Sequence, residues 1–264
     1  MNELNYNSNR IFLLLFIIFP FLLNSCFNPD DGQELNIFAA ASLSEPFNAI
    51  KDGYKESINI DYDGSFSLIN KINLGATPDI VIIAGLENIE LINQNFIEIS
   101  SIRPLIKNEL VLLHKNKLGN SLSLSEVCLN QDIIFGVADP FLAPLGKQSN
   151  LAMNKYEDCK KIMAEGNIRI SSNARALISA LNYGHLDAAI IYKSDYINSI
   201  GNNNSFRISE ENFNEIIYYP VLIMSNDNDN KLSMKENFVK HLFSDDTKEL
   251  FDRFGFEMVT NDIK

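Results

Sequence analysis

The sequence is poor in the patterns that most catalytic and metal sites require. Its three histidines, His114, His185 and His241, stand in unrelated contexts. There is no H-E-x-x-H, C-x-x-C, G-x-S-x-G nucleophile elbow, G-x-G-x-x-G or P-loop. An enzymatic reading is left only with a triad assembled from distant Ser, His and Asp residues. Positive charge is scarce too: 22 Lys and Arg face 34 Asp and Glu, for a net charge of -12. The far field therefore repels nucleic acid and anionic membrane surfaces, and a bound anion has to be held by local dipoles. The apolar run at residues 11–23 falls short of the roughly 20 residues that cross a bilayer.

What that run does suit is export. Arg10 precedes it and Asn24-Ser25-Cys26 follow, the layout of a signal peptide over residues 1–25. Leu23-Asn24-Ser25-Cys26 resembles a bacterial lipobox, in which the cysteine is lipidated and becomes the mature N-terminus; Asn24 is an uncommon residue there, and plain secretion is the other reading. Cleavage removes Arg10 and Glu3 together, so the acidity belongs to the folded part. Residues 26–33 (CFNPDDGQ) have the turn-rich composition of a tether. Cys128 and Cys159 remain, and an exported protein can join them or keep them as separate buried thiols.

The 264 residues, 46% hydrophobic, suffice for one large core or two modest ones. Strand and helix patterns alternate from Glu34 onward. Residues 35–41 read as a strand running into a helix, where Ser42-x-x-Glu45 has the form of a capping box and Leu43, Phe47, Ile50 and Tyr54 recur at helical spacing. Residues 58–62 alternate as a strand, a second helix carries Leu68, Ile69 and Ile72, and residues 79–84 (DIVIIA) form the continuous apolar run of a strand covered on both faces. After a strand at residues 109–113 the pattern restarts: strands at 133–138, 168–170 and 188–192, with helices entered through Pro144 and through Ser172-Asn173. A polar loop over 199–214, a strand at 216–224 and two helical stretches at 236–243 and 246–254 complete an open α/β arrangement.

Four strand-to-helix turns in that arrangement place small or hydroxyl residues at a helix start: Ser42, Ser65, Leu145 behind Pro144, and Ala174 behind Ser172-Asn173. Helix N-termini expose unpaired N–H groups and the positive end of the dipole, so they hold anions without a charged side chain. In α/β sheets ligands bind beyond the carboxyl ends of the strands, where these turns lie. Taken singly, each serine reads as an ordinary cap, and Tyr192 at a strand end as a packed ring with a solvated hydroxyl. Together, the turns ask for a small oxyanion.

A series of motifs then points to a family. Phe38-Ala39-Ala40-Ala41-Ser42-Leu43, Gly64-Ser65-Phe66-Ser67-Leu68, Gly75-Ala76-Thr77-Pro78-Asp79-Ile80, Asp139-Pro140 with Pro144-Leu145-Gly146, Ala174-Arg175-Ala176-Leu177, Ile191-Tyr192-Lys193-Ser194-Asp195, Tyr219-Pro220-Val221 and Phe254-Gly255-Phe256 resemble, in order, the molybdate-binding proteins of bacterial ABC importers. The resemblance implies a type II periplasmic-binding-protein fold, two α/β lobes with the ligand cleft between them. Lobe 1 would comprise residues 34–110 and 219–264, and lobe 2 residues 111–218, with crossing strands at 109–113 and 217–224.

It also implies the ligand contacts: the side chain and amide of Ser42, likewise Ser65, the amides of Leu145 and Ala174, and the hydroxyl of Tyr192. Gly64 and Phe66 flank Ser65 where many relatives have a run of serines. The implied protein is a non-enzymatic receptor in the periplasm or on the outer face of the cytoplasmic membrane. It would be a monomer anchored through Cys26 that delivers molybdate or tungstate to an ABC permease and its ATPase, with no cofactor and no separate protein-ligated cation. A site of donors suits a fully ionised dianion and disfavours monohydrogen phosphate. A receptor for another tetrahedral oxyanion such as sulfate, an exported α/β hydrolase and a purely structural surface lipoprotein are the competing readings.

Overall fold

The computed structural model describes residues 34–93, 98–119, 122–166, 168–199, 204–211, 213–225 and 231–259. The expected signal peptide, the tether and Cys26 lie outside the described residues. Among those described, no helix is long and apolar enough to cross a membrane.

In chain order the elements are β1 (Leu35–Ala40), α1 (Ser44–Gly53), β2 (Ile58–Asp63), α2 (Ser65–Asn73), β3 (Ile80–Ile82), β4 (Glu98–Lys115), α3 (Leu124–Leu129), β5 (Phe135–Ala138), α4 (Pro144–Met153), α5 (Glu157–Glu165), β6 (Arg169–Ser171), α6 (Ala174–Asn182), β7 (Ala188–Tyr192), α7 (Lys193–Ser199), β8 (Phe206–Ile208), β9 (Ile216–Ser225), α8 (Leu232–Leu242), α9 (Asp245–Arg253) and β10 (Glu257–Met258). The strands order as β2-β1-β3-β9-β4-β7-β5-β6, with β8 and β10 also on β4. Strands β2, β1 and β3 are mutually parallel, as are β6, β5 and β7. The antiparallel pair β4 and β9 lies between these two parallel groups.

Strand β4 is the seam. It pairs with β9 up to Glu109↔Ile216 and with β7 from Leu110↔Tyr192 onward, so one strand serves both halves of the sheet. Pro104 lies opposite Pro220, and the register shifts beside that pair, because neither proline can donate a ladder hydrogen bond.

The apolar run of residues 79–84 is buried on both faces. Ile80 and Ile82 join the core formed with Leu43, Phe47 and Ile50, while Val81 and Ile83 join a second cluster with Leu68, Ile69 and Ile72. Asp79, at the head of that run, is buried and accepts from the Asn36 N–H at 2.8 Å, with Lys231 Nζ at 3.0 Å and Lys235 Nζ at 3.9 Å. It ties helix α8 and Lys231 just before it to the first strands. Cys128 and Cys159 are joined as a disulfide that links α3 to α5.

Two local expectations are corrected. Ser42 does not form a capping box with Glu45: residues Ala41–Leu43 make a 3-10 turn, and α1 begins at Ser44 with no side-chain cap. The Ser42 hydroxyl has a buried partner on β9 instead, and a capping box is formed by Ser123 with Glu126. The stretch 199–214 is not simply a loop, because Phe206–Ile208 pairs with β4 as β8. Three residues are too few for an alternating pattern to register.

Candidate functional site

The carboxyl ends of β1, β2, β3, β5, β6 and β7 all lead toward one cleft of ≈ 300 Å³. Ser42, Ser65, Leu145, Ala174 and Tyr192 all line it. Each comes from a different element, so only the folded sheet unites them.

Ser65 is the first residue of α2 and is 2% exposed. Its Oγ accepts from the Ala84 N–H at 2.9 Å, just beyond β3. A hydroxyl that already accepts from behind keeps its own proton to donate forward. This bond fixes the Ser65 hydroxyl from behind.

Ser42 is arranged in the same way. Its Oγ lies 3.2 Å from the Tyr219 hydroxyl, which also bonds the Asn108 side chain. Asn108 Oδ1 accepts from the Glu109 N–H at 2.9 Å and the Ser194 N–H at 3.4 Å, while Nδ2 donates to Ser194 Oγ at 2.8 Å. That orientation presents the amide NH₂ to Tyr219, whose hydroxyl in turn pairs with Ser42 Oγ. The Ser42 hydroxyl is thereby held in place at the cleft by a buried chain of side chains.

Leu145 and Ala174 contribute only backbone. Leu145 follows Pro144 at the start of α4, and Ala174 opens α6 behind Asn173, whose side chain accepts from the Ala176 N–H at 3.0 Å. Amides in a first helical turn have no partner within their own helix. Gly146 is what lets α4 approach: a Cβ there would meet the Asp139 carbonyl carbon at 2.4 Å and Ala138 O at 2.5 Å. No side chain fits between the end of β5 and this helix.

Tyr192 ends β7, is 5% exposed, and its hydroxyl has no hydrogen-bond partner among the described residues. Burial pushes its pKa well above the ordinary tyrosine value, so it stays protonated and available as a donor. A buried hydroxyl without a partner costs free energy, which a ligand oxygen would recover.

Three charged side chains that were not singled out as site residues also line the cleft: Asp63, Arg175 and Asp195. Two acidic residues thus line the cleft beside the expected donors. Asp63 is satisfied, accepting from the Gly64 N–H at 2.7 Å and Ser67 Oγ at 2.6 Å, with Lys71 Nζ at 3.1 Å. Burial disfavours its ionised form, but the bonds from Ser67, Lys71 and Gly64 outweigh that and hold its pKa below the usual carboxylate value. Arg175 Nη2 reaches across to Ala41 O at 3.3 Å and Ser44 Oγ at 2.9 Å, joining α6 to the turn after β1. Gln148 Nε2 makes a second bridge, to Glu87 Oε1 at 3.0 Å. Arg175, Asp195 and Tyr219 all sit within the motifs quoted above, but nothing in their local spacing sets them apart from structural residues.

A family model described as "Bacterial extracellular solute-binding protein" matches residues 35–257. The putative ABC transporter substrate-binding lipoprotein YvgL of Bacillus subtilis (strain 168) is 26% identical over 230 residues, 84% of this chain and 85% of that protein. The molybdate-binding protein ModA of Escherichia coli (strain K12) is 22% identical over 237 residues, 86% and 90% of the two chains. Among solved structures, the Azotobacter vinelandii periplasmic molybdate-binding protein superposes with a TM-score of 0.71 at 16% identity, covering 86% of this chain and all of that one (100%). The sulfate-binding protein SubI of Mycobacterium tuberculosis H37Rv gives 0.69 at 12% identity, covering 86% and 88%. The α/β fold is thus that of the periplasmic binding proteins.

Proposed function

This chain belongs to the bacterial extracellular solute-binding proteins, and on that premise we propose that it is the receptor of an ABC importer that captures molybdate, and tungstate with it, for delivery to a permease. The observation that carries this reading is the convergence on one ≈ 300 Å³ cleft of two serine hydroxyls, two helix-start amides and an unpartnered buried tyrosine hydroxyl. Neutral donors fixed on separate elements match an anion that brings acceptors only. The volume lies at the small end of ligand pockets, enough for a small solute. The named binding of the Escherichia coli and Azotobacter relatives supports the choice of ion.

In this reading the residues of β1 to β3 and those of β5 to β7 belong to two lobes, and Arg175, Gln148 and Lys147, the last 3.9 Å from Glu87, are among the contacts that hold them closed. Opening must break these bridges, so ligand binding and bridge formation favour the same state. Cys26 would carry a lipid that keeps the receptor at the outer face of the cytoplasmic membrane. No histidine lines the cleft, so the Ser-His pairing of the common hydrolases is not formed there.

A receptor for sulfate is the second reading, favoured by the match to the sulfate-binding structure. Titration calorimetry of residues 27–264 with molybdate, tungstate, sulfate and phosphate separates the two. Tight binding of molybdate with much weaker sulfate is expected. Tight sulfate binding with no molybdate heat would reject the first reading, and no heat from any oxyanion would reject both.

A further inference from the structure

Asp195 is the feature of the cleft that a receptor for a fully ionised dianion does not call for. It lies in the first turn of α7 and lines the cleft with Tyr192 and Arg175. Its carboxyl accepts from the Tyr192 backbone N–H, while its Oδ2 is buried with no hydrogen-bond partner among the described residues. Two unpaired buried oxygens, Asp195 Oδ2 and Tyr192 Oη, therefore share one cleft. Native interiors rarely leave such atoms bare, and here both belong to residues that line the candidate ligand cleft.

An ionised carboxylate cannot donate, and at this position it would repel the very anion the other donors attract. A proton removes the conflict. If the proton is on Asp195, the carboxyl becomes a further donor to a dianion. If the ligand brings it, as a monohydrogen oxyanion does, ionised Asp195 becomes the acceptor that ligand needs. Both arrangements place one proton between the carboxyl and the ligand.

We propose that Asp195 is a further oxyanion-contacting residue and that the cleft closes over its anion together with one proton shared with that carboxyl. The inference rests on the oxyanion-receptor reading above. The charged and titratable groups around Asp195 agree with it. Burial raises its pKa to about 7, Glu45 from α1 adds to that, and Arg175 from α6 opposes it. Two protonated phenols complete the surroundings, Tyr192 at the end of β7, itself facing Glu87, and Tyr219 on β9. The unliganded carboxyl is then part ionised at neutral pH and becomes protonated on binding. Binding takes up a fraction of a proton near pH 7 and close to one proton well above it. The cleft also tolerates a protonated ligand better than a cage of donors alone would.

The test is calorimetry of residues 27–264 with sodium molybdate and with sodium sulfate, in pairs of buffers of different ionisation enthalpy, at about pH 6 and about pH 8.5. The expected result is uptake approaching one proton per ion at the higher pH and much less at the lower. Kd for the ion that binds should rise by up to about tenfold per pH unit above about pH 7. Asp195→Asn, which keeps the shape and carries a permanent donor, should bind with a flat pH profile. Binding with no proton uptake at either pH overturns the proposal while leaving the receptor reading intact, and this measurement needs no variant. An Asp195→Asn protein that keeps the wild-type slope overturns it equally. No binding of either ion at either pH sinks the receptor reading and this inference with it.

Discussion

Replacing Tyr192 with phenylalanine removes one oxygen atom and separates binding from folding more cleanly than any other change in the cleft. The ring stays packed at the end of β7, and the hydroxyl that leaves has no partner among the described residues. Its removal therefore leaves no former partner newly unsatisfied in the free protein. Burying a hydroxyl without a bond costs about 1–3 kcal/mol, so the free variant should be at least as stable as the wild type. With the anion bound the balance reverses, because a hydrogen bond to a charged group is worth about 1.5–3 kcal/mol. At about 1.4 kcal/mol per decade, Kd for molybdate should rise about ten- to a hundred-fold. Scanning calorimetry with and without molybdate, beside isothermal titration, reads both quantities. A Kd within about twofold of wild type, or a free protein less stable by about 1 kcal/mol or more, would refute the assignment of this hydroxyl to the ligand.

Other changes probe the frame that carries the site. Gly146→Ala must push α4 away from the backbone at Ala138 and Asp139, so a loss of about 1–3 kcal/mol in denaturant unfolding and weaker anion binding are both expected. Reduction of Cys128–Cys159, which closes a loop of sequence separation 31, should lower stability by about 3–4 kcal/mol by the chain-entropy relation while leaving Kd nearly unchanged, since neither cysteine lines the cleft. Asp79→Ala takes a buried carboxylate away from Lys231 and Lys235 and should cost about 3–5 kcal/mol in urea unfolding. For Asp195 the sign of the pH dependence is also defined. Its raised pKa means the folded state holds that proton more tightly, so this residue's contribution favours folding below about pH 4 and is lost as pH rises to about 7. Asp195→Asn should accordingly flatten the decline in unliganded stability over that interval.

Much of this protein is local and can therefore be read along the chain. Pro144 at the start of α4, Asn173 capping α6 and Gly64-Ser65 opening α2 are signals a few residues long, and each points to a helix N-terminus that the structure contains. The doubly buried run at residues 79–84 likewise announces a covered parallel strand. Short or competing signals are less legible: β8 has three residues, and the Ser42-x-x-Glu45 pattern lost to a partner that no local pattern reveals.

What only the tertiary structure decided is which donors are free, which are supported and where charge intrudes. Ser42 meets Tyr219 across 177 residues, Arg175 reaches Ser44 across 131, and Ser65 is held by Ala84 across 19. Helix starts follow from backbone and side-chain geometry within one turn, so sequence alone places them. The direction of a hydroxyl proton, and the unpaired oxygen of Asp195, follow from which strands lie side by side, and that is settled only when β4 and β9 bring the two halves of the sheet together.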